Sequence, residues 1–199
     1  MIYIISWMRY SAEHKKETRE RIVRAASRQF RLRGREGVAI SDLMRKLNLT
    51  HGGFYRHFGS KEELFVAAFE KGLEEARANM KSAADKRPGS ELKAVIEEYL
   101  SVEHCSNPAE GCPVAALSSE IARYPRAVRL KIDRARSNHI NEVSKMLPGE
   151  TESERRRNAV VLFSGMAGAV TLARSVADED MRKNILQAAR QFYVKAFGN

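Results

Sequence analysis

A chain of 199 residues that is 43% hydrophobic and 30% charged is long enough to bury a sizeable core and too apolar to be disordered. Five Pro and twelve Gly exclude collagen-like and low-complexity classes, and two Cys cannot build a disulfide framework, so a reducing cytoplasm is the expected setting. The net charge of +10 is unevenly placed: residues 1–62 hold fourteen Lys or Arg against six Asp or Glu, a net +8, whereas the rest hold twenty-one against nineteen, a net +2. That is how a nucleic-acid-binding head on a near-neutral body would look, since phosphate neutralisation needs clustered cations, but charge alone favours the alternative of a solvated basic helix.

The opening stretch Met1 to Met8 is apolar but too short to span a membrane. It has no basic region before it and no small-residue cleavage site after it, so it reads poorly as a secretory signal. The biological start is expected at Met8, and residues 1–14 are expected to form a disordered arm. From Lys15 to Arg33, Ile22, Ala26 and Phe30 recur every four residues among charges, the spacing of one buried helix face. The basic Arg24, Arg28 and Arg31 lie at three- and four-residue spacing and read as a solvated face.

Gly34 and Gly37 bracket a turn, and Ser41 is placed to cap a short helix carrying Leu43, Met44 and Leu47. Asn48 tolerates the left-handed conformation, so Asn48-Leu49-Thr50 reads as a three-residue turn, with Thr50 capping a further short helix from His51 to Phe58. Two short helices joined in this way are a helix-turn-helix. Gly59 ends the second, and Ser60 with Glu63 forms a capping box that opens a long connector towards Ala84.

After a break at residues 86–90, Leu92, Val95, Ile96, Tyr99 and Leu100 resume helical periodicity. Pro108, Gly111 and Pro113 mark an irregular link. Helices are expected over 115–124, from Val128 to the break at Pro148-Gly149, from a capping box at Thr151 and Glu154, and from Asp178 to Phe197. No stretch alternates with period two, so no sheet is expected. The run Ser164 to Ala169 concentrates small side chains in an apolar helix and invites close approach of another helix, within the chain or from a second subunit.

Thr18 to Val23, Phe30, Gly34, Ile40 to Leu43 and the run Leu49 to Leu64 (LTHGGFYRHFGSKEEL) closely resemble the DNA-binding head of TetR-type transcriptional regulators over residues 15–68. Asn48 departs from the glycine usual in that family. The resemblance implies an all-α fold. A helix-turn-helix head of three helices, residues 15–62, would be joined by a connector helix to a larger effector-binding and dimerisation body, residues 63–199. Gly52 and Gly53 would let the short helix enter the major groove closely, so that Thr50, His51, Gly52 and Gly53 face base edges, His51 foremost. Tyr55, His57 and Lys61 would flank the groove, Arg56 would contact the backbone, and Ser41 would aim a helix N-terminus at its other side.

The resemblance also implies a homodimer on a pseudopalindromic operator of double-stranded DNA, since one such helix buries too little surface for tight specific binding. The last two helices would pair with their symmetry mates, with Phe163, Gly165, Met166, Gly168 and Phe192 at the interface. It further implies a cavity whose small-molecule occupant releases the DNA, and Tyr99, His104, Leu117, Ile121, Tyr124, His139 and Phe163 are candidate lining residues. Core packing is the competing reading for each. Cys105 and Cys112 raise the alternative of a cysteine-based sensor of oxidants or electrophiles. His104 with the two cysteines makes three ligands at irregular spacing, so no metal is expected, and no cofactor or membrane partner is implied. There is no phosphate loop, nucleophile elbow or carboxylate pair to support an enzyme. A nonspecific basic architectural protein would explain the head but not the near-neutral body.

Overall fold

The computed structural model describes the backbone of residues 2–198 and the side chains of residues 12–198. All its regular elements are helices: α1 Ile2–Arg33, α2 Ile40–Lys46, α3 His51–Phe54, α4 Lys61–Asp85, α5 Glu91–Tyr99, α6 Val102–Ser106, α7 Pro113–Ile121, α8 Arg126–Ser144, α9 Glu152–Ser175 and α10 Glu179–Phe197. Helix α1 runs unbroken from Ile2 to Arg33, through the residues expected to form a disordered arm. Nothing before Arg33 is Gly or Pro, so no residue stops the helix.

The caps follow the sequence at most helix starts. Thr151 and Glu154 make a complete capping box, and Asp178 accepts a hydrogen bond from the Met181 amide at 2.7 Å. Ser60 accepts from the Glu63 amide at 3.1 Å, but Glu63 accepts from Gly59 rather than from Ser60, so the return bond lands one residue earlier than expected. Ser41 does not cap α2. The helix starts at Ile40 behind Ala39, because the buried Val38 anchors the chain one residue sooner, and Ser41 lies within the first turn, exposed. The α6 turn was not anticipated; Ser101 caps it by accepting from the His104 amide at 3.0 Å. Pro113 at the first helical position starts α7 two residues before the expected boundary.

One apolar core runs from the head into the body. Phe30 of α1 meets Phe65 of α4 edge-on at 5.2 Å, and Phe65 stacks on Tyr124, just after α7, at 4.8 Å. Leu43, Met44, Phe54 and Phe58 join this cluster, as do Leu117, Ile121 and Ile132. A second cluster, built on Ile96, Leu162, Phe163, Met166, Val170 and Leu186, holds the body together. The boundary drawn between residues 62 and 63 therefore falls inside α4, and packing crosses it.

Arg31 is the polar counterpart of this junction. Far from being solvated, it is 4% exposed and donates to the Ser27 carbonyl at 3.2 Å, the Gly111 carbonyl at 2.8 Å and Glu75 Oε2 at 2.7 Å. Its fork thus ties α1 to α4 and to the link before α7. Arg28, next on the same helix, pairs with Glu110 of that link at 2.9 Å, half-exposed. Arg31→Met should cost about 3 kcal/mol in urea unfolding, because it strands the Glu75 carboxylate and the Gly111 carbonyl. Arg31→Lys should recover little, as an ammonium cannot span three acceptors on a planar fork. A loss below about 0.5 kcal/mol for Arg31→Met would show that the junction does not depend on the guanidinium.

Candidate nucleic-acid interface and effector region

The helix-turn-helix is closed by the local chemistry of Asn48. Its φ is +57°, and the flanking bonds Leu49 N–H to Met44 O at 2.9 Å and Asn48 N–H to Arg45 O at 3.0 Å form a Schellman motif. Asn adopts this region at little cost, which explains how it can stand in the turn. Arg21 of α1 donates to the Leu47 carbonyl at 3.2 Å and satisfies one more α2 end group. Thr50 then caps α3, accepting from the Gly53 amide at 3.2 Å. The α-helical part of the second short helix is only His51–Phe54, and turn bonds from Arg56, His57 and Phe58 carry the chain on to Gly59.

Phe54 and Phe58 face inward and stack at 5.5 Å, which forces the residues between and before them outward. His51, Gly52, Tyr55 and Arg56 are exposed, Tyr55 at 62%, and the His51 and Tyr55 rings meet edge-on at 5.7 Å. A side chain on Gly52 would meet nothing within 4 Å, so the surface there is open; Gly53 is half-buried against Thr50. Lys61 sits at the first position of α4, half-buried, beside the Ser60 cap.

His57 is half-buried, and among the described residues its Nδ1 has no hydrogen-bond partner. Burial first, then the charges of Lys15, Arg19 and Arg56, push its pKa below the usual histidine value. Lys15 and Arg19 of α1 thus act on His57 together with Arg56, cations that sequence spacing alone did not single out. Arg19 lies over the Phe58 ring at 4.7 Å. The structure thus brings Thr50, His51, Gly52, Gly53, Tyr55, Arg56, His57 and Lys61 onto one stretch of chain around α3. Ser41 is exposed in the first turn of α2.

The candidate effector residues do not share one cavity. Leu117, Ile121 and Tyr124 belong to the core that packs against the head. His139 of α8 lies against Phe163 of α9 at 4.7 Å, with no exposed surface and, among the described residues, no partner on either ring nitrogen. Tyr99 and His104 form a third group, rings 4.5 Å apart. His104 Nε2 accepts from the Cys112 amide at 3.2 Å, so its proton is on Nδ1, donated to the Tyr99 carbonyl at 2.6 Å. Both ring nitrogens of that imidazole are thus engaged, Nδ1 as donor and Nε2 as acceptor. Cys105 and Cys112 are both free and buried, and Arg174 of α9 donates to the carbonyls of His104 and Cys105 at 3.0 and 2.9 Å.

The expected interface set on the last helices also divides. Phe163 and Met166 face the core, and a side chain on Gly165 would collide with the Tyr193 hydroxyl of α10, so this close approach lies within the chain. Gly168 and Phe192 are exposed, the latter at 64%. With them stand Val160, Val161 and Leu172 of α9 and Met181 of α10, which the sequence reading missed. Their signal was the four-residue spacing of 160, 164, 168 and 172 along the face opposite the buried one.

The profile of bacterial regulatory proteins of the tetR family matches residues 22–68. The HTH-type transcriptional regulator LmrA of Bacillus subtilis is 26% identical over 164 residues, 79% of this chain and 86% of that protein. A TetR transcriptional regulator from Chloroflexus aurantiacus superposes with a TM-score of 0.71 at 25% identity, covering 92% of this chain and 96% of that one. The reduced form of Escherichia coli NemR gives a TM-score of 0.71 at 20% identity, covering 91% and 98% of the two chains, a likeness of fold.

The orphaned ring of His139 carries a pH dependence. Burial, and after it the charge of Arg77, pushes its pKa down to about 4 from 6.5. The unfolded chain therefore takes up a proton near pH 6.5 that the folded one refuses until about pH 4. Stability contributed by this site is full above pH 6.5, falls as the pH drops through that window and levels off below it. Urea unfolding at both ends of the window should show His139→Leu losing less stability than the parent, by about 3 kcal/mol. Equal losses would mean that the ring is protonated inside the fold.

Proposed function

Because this chain is a TetR-type transcriptional regulator, we propose that it binds a pseudopalindromic DNA operator as a homodimer, acts as a repressor and is released by a small-molecule effector. In this reading residues 15–62 are the DNA-binding unit and 63–199 the effector-binding and dimerisation unit. The matched proteins are regulators, and the chain is a regulator rather than an enzyme. Among the described residues no helix is long and apolar enough to cross a membrane.

The observation that carries the reading is the exposed face of His51, Tyr55 and Arg56 beside Lys61, backed by Lys15 and Arg19 and held by the Phe54 and Phe58 anchors. A short helix with open backbone at Gly52 fits the major groove, with His51 reading base edges and Tyr55, Arg56 and Lys61 positioned for phosphates. Dimerisation has its own support. Helix α9 is apolar on both faces, and Val160, Val161, Leu172, Met181 and Phe192 leave the outward face of α9 and α10 exposed, as a helix pair awaiting a symmetry mate would.

A cysteine-based release is the second reading, with weak support from the likeness to NemR, whose solved structure is of a reduced form. Both thiols here are buried, so a reagent would first have to open the link between α6 and α7. Operator release by an oxidant should then vanish in Cys112→Ser.

Fluorescence anisotropy against the chain's own upstream DNA, with random duplex as competitor, tests the main reading. Tyr55→Ala should weaken specific binding roughly tenfold or more, and Lys61→Ala should weaken it while lowering the salt slope by about one. Unchanged binding in both would remove the site assignment, and no preference over random DNA after selection from a random pool would remove the regulator reading itself. Leu172→Glu with Phe192→Glu should yield monomers in sedimentation that bind the operator far more weakly.

A further inference from the structure

At the end of the body remote from the head, the last turns of α4 and α8, the start of α5 and the end of α10 enclose an open cleft of about 780 Å³. None of the seven residues singled out as effector contacts lines it. Its apolar wall includes Met80 of α4, Leu92 of α5, Val143 of α8, Met146 beyond α8 and Phe197 of α10. Two methionines and a terminal phenylalanine make an adaptable surface. The volume lies within the range of small-molecule sites. The small space beside Tyr99, His104 and Cys112, about 50 Å³, has room for little more than water.

The charges at the cleft decide what it would take. Lys145 is paired with Glu142 at 2.8 Å, Lys81 with Asp85 at 2.7 Å, and Glu91 accepts from the Gly89 amide at 2.9 Å. Arg77 lines the same cleft, half-buried, and makes no hydrogen bond or ion pair among the described residues. Its charge acts on both the buried His139 and Glu142. Among the described residues Arg77 is the cation of the cleft without an ion pair, and the carboxylate without one, Glu91, is exposed at the rim. A half-buried guanidinium beside an apolar wall is suited to a carboxylate or sulfonate.

We propose that this cleft binds an amphipathic organic anion, its apolar body against Met80, Leu92, Met146 and Phe197 and its anionic group on Arg77. For its regulatory role the site rests on the effector-released regulator proposed above. The same helix that carries Arg77 and Met80 begins at Lys61, about 24 Å away at 1.5 Å per residue. The opposite wall is the end of α10, whose outward face carries Phe192. An occupant therefore touches the connector to the head and the helix pair of the dimer at once, as a ligand must to bias their relative position.

The test uses the full chain without DNA and 1-anilinonaphthalene-8-sulfonate as a fluorescent probe. Decanoate, decanol and decyltrimethylammonium compete with it below their micelle concentrations. Decanoate should displace the probe at about one tenth the concentration that decanol needs, and the cationic chain should be weakest. Arg77→Met should abolish the advantage of decanoate and leave decanol unchanged. Leu92→Trp and Met146→Trp, each filling the cleft, should remove displaceable probe, with thermal melts confirming that they fold. Leu130→Gln, on the exposed face of α8 and outside the cleft lining, should leave it intact. The proposal is overturned if decanoate and decanol compete equally, if Arg77→Met changes nothing, or if displaceable probe persists in both folded Trp variants. Operator binding is read separately in the same preparations. Its failure would count against the regulator reading and leave the cleft result standing.

Discussion

The guanidinium of Arg31 has almost no solvent, and its three acceptors belong to α1, to α4 and to the link before α7. A cation so placed cannot be left half-paired without a cost of several kcal/mol, so the three segments are held in one arrangement. The aromatic contacts Phe30–Phe65 and Phe65–Tyr124 secure the same junction from the apolar side. Head and body are therefore packed as one piece through α4, and a shift of that helix must be felt at Lys61 and α3. Any coupling between a ligand and DNA in this chain has to pass this junction.

The head surface follows from a division of labour within a few residues. Phe54 and Phe58 spend their side chains on the core, Thr50 and Asn48 spend theirs on caps and the turn, and His51, Tyr55 and Arg56 remain outward. Burial depresses the pKa of His57, and after it so do Lys15 and Arg19 of α1, more than thirty residues earlier in the chain. A neutral His57 among cations is suited to hydrogen bonding, with the surrounding Lys and Arg supplying the charge.

The body holds polar groups that its packing leaves unmatched. Among the described residues His139 has two orphaned ring nitrogens, Tyr99 has an orphaned hydroxyl, and Arg77 at the cleft makes no ion pair. The first two are sealed in the core, where they lower stability or make it depend on pH. Arg77 is at a cleft, where a ligand could meet it. That difference in access is what separates a strained core from a candidate site.

Much of the head was legible in the sequence, because its signals are local: four-residue periodicity in α1, the Asn48 turn, the Thr50 and Ser60 caps, and alternation of Phe54 and Phe58 with polar neighbours all act within one or two turns. The all-helical class and the start of α9 were legible for the same reason. What only the tertiary structure decided is long-range. Arg31 looked like one of three surface arginines until Glu75 and Gly111, 44 and 80 residues away, were brought to it. Gly165 and Met166 looked like an interface until Tyr193 and the core filled their side of α9. The proposed effector residues scattered to three places, and Arg77 was singled out only once α5, α8 and α10 had closed around it. Periodicity reports which face of a helix is apolar, but which partner covers that face is set by contacts between distant segments, and these leave no pattern in the local sequence.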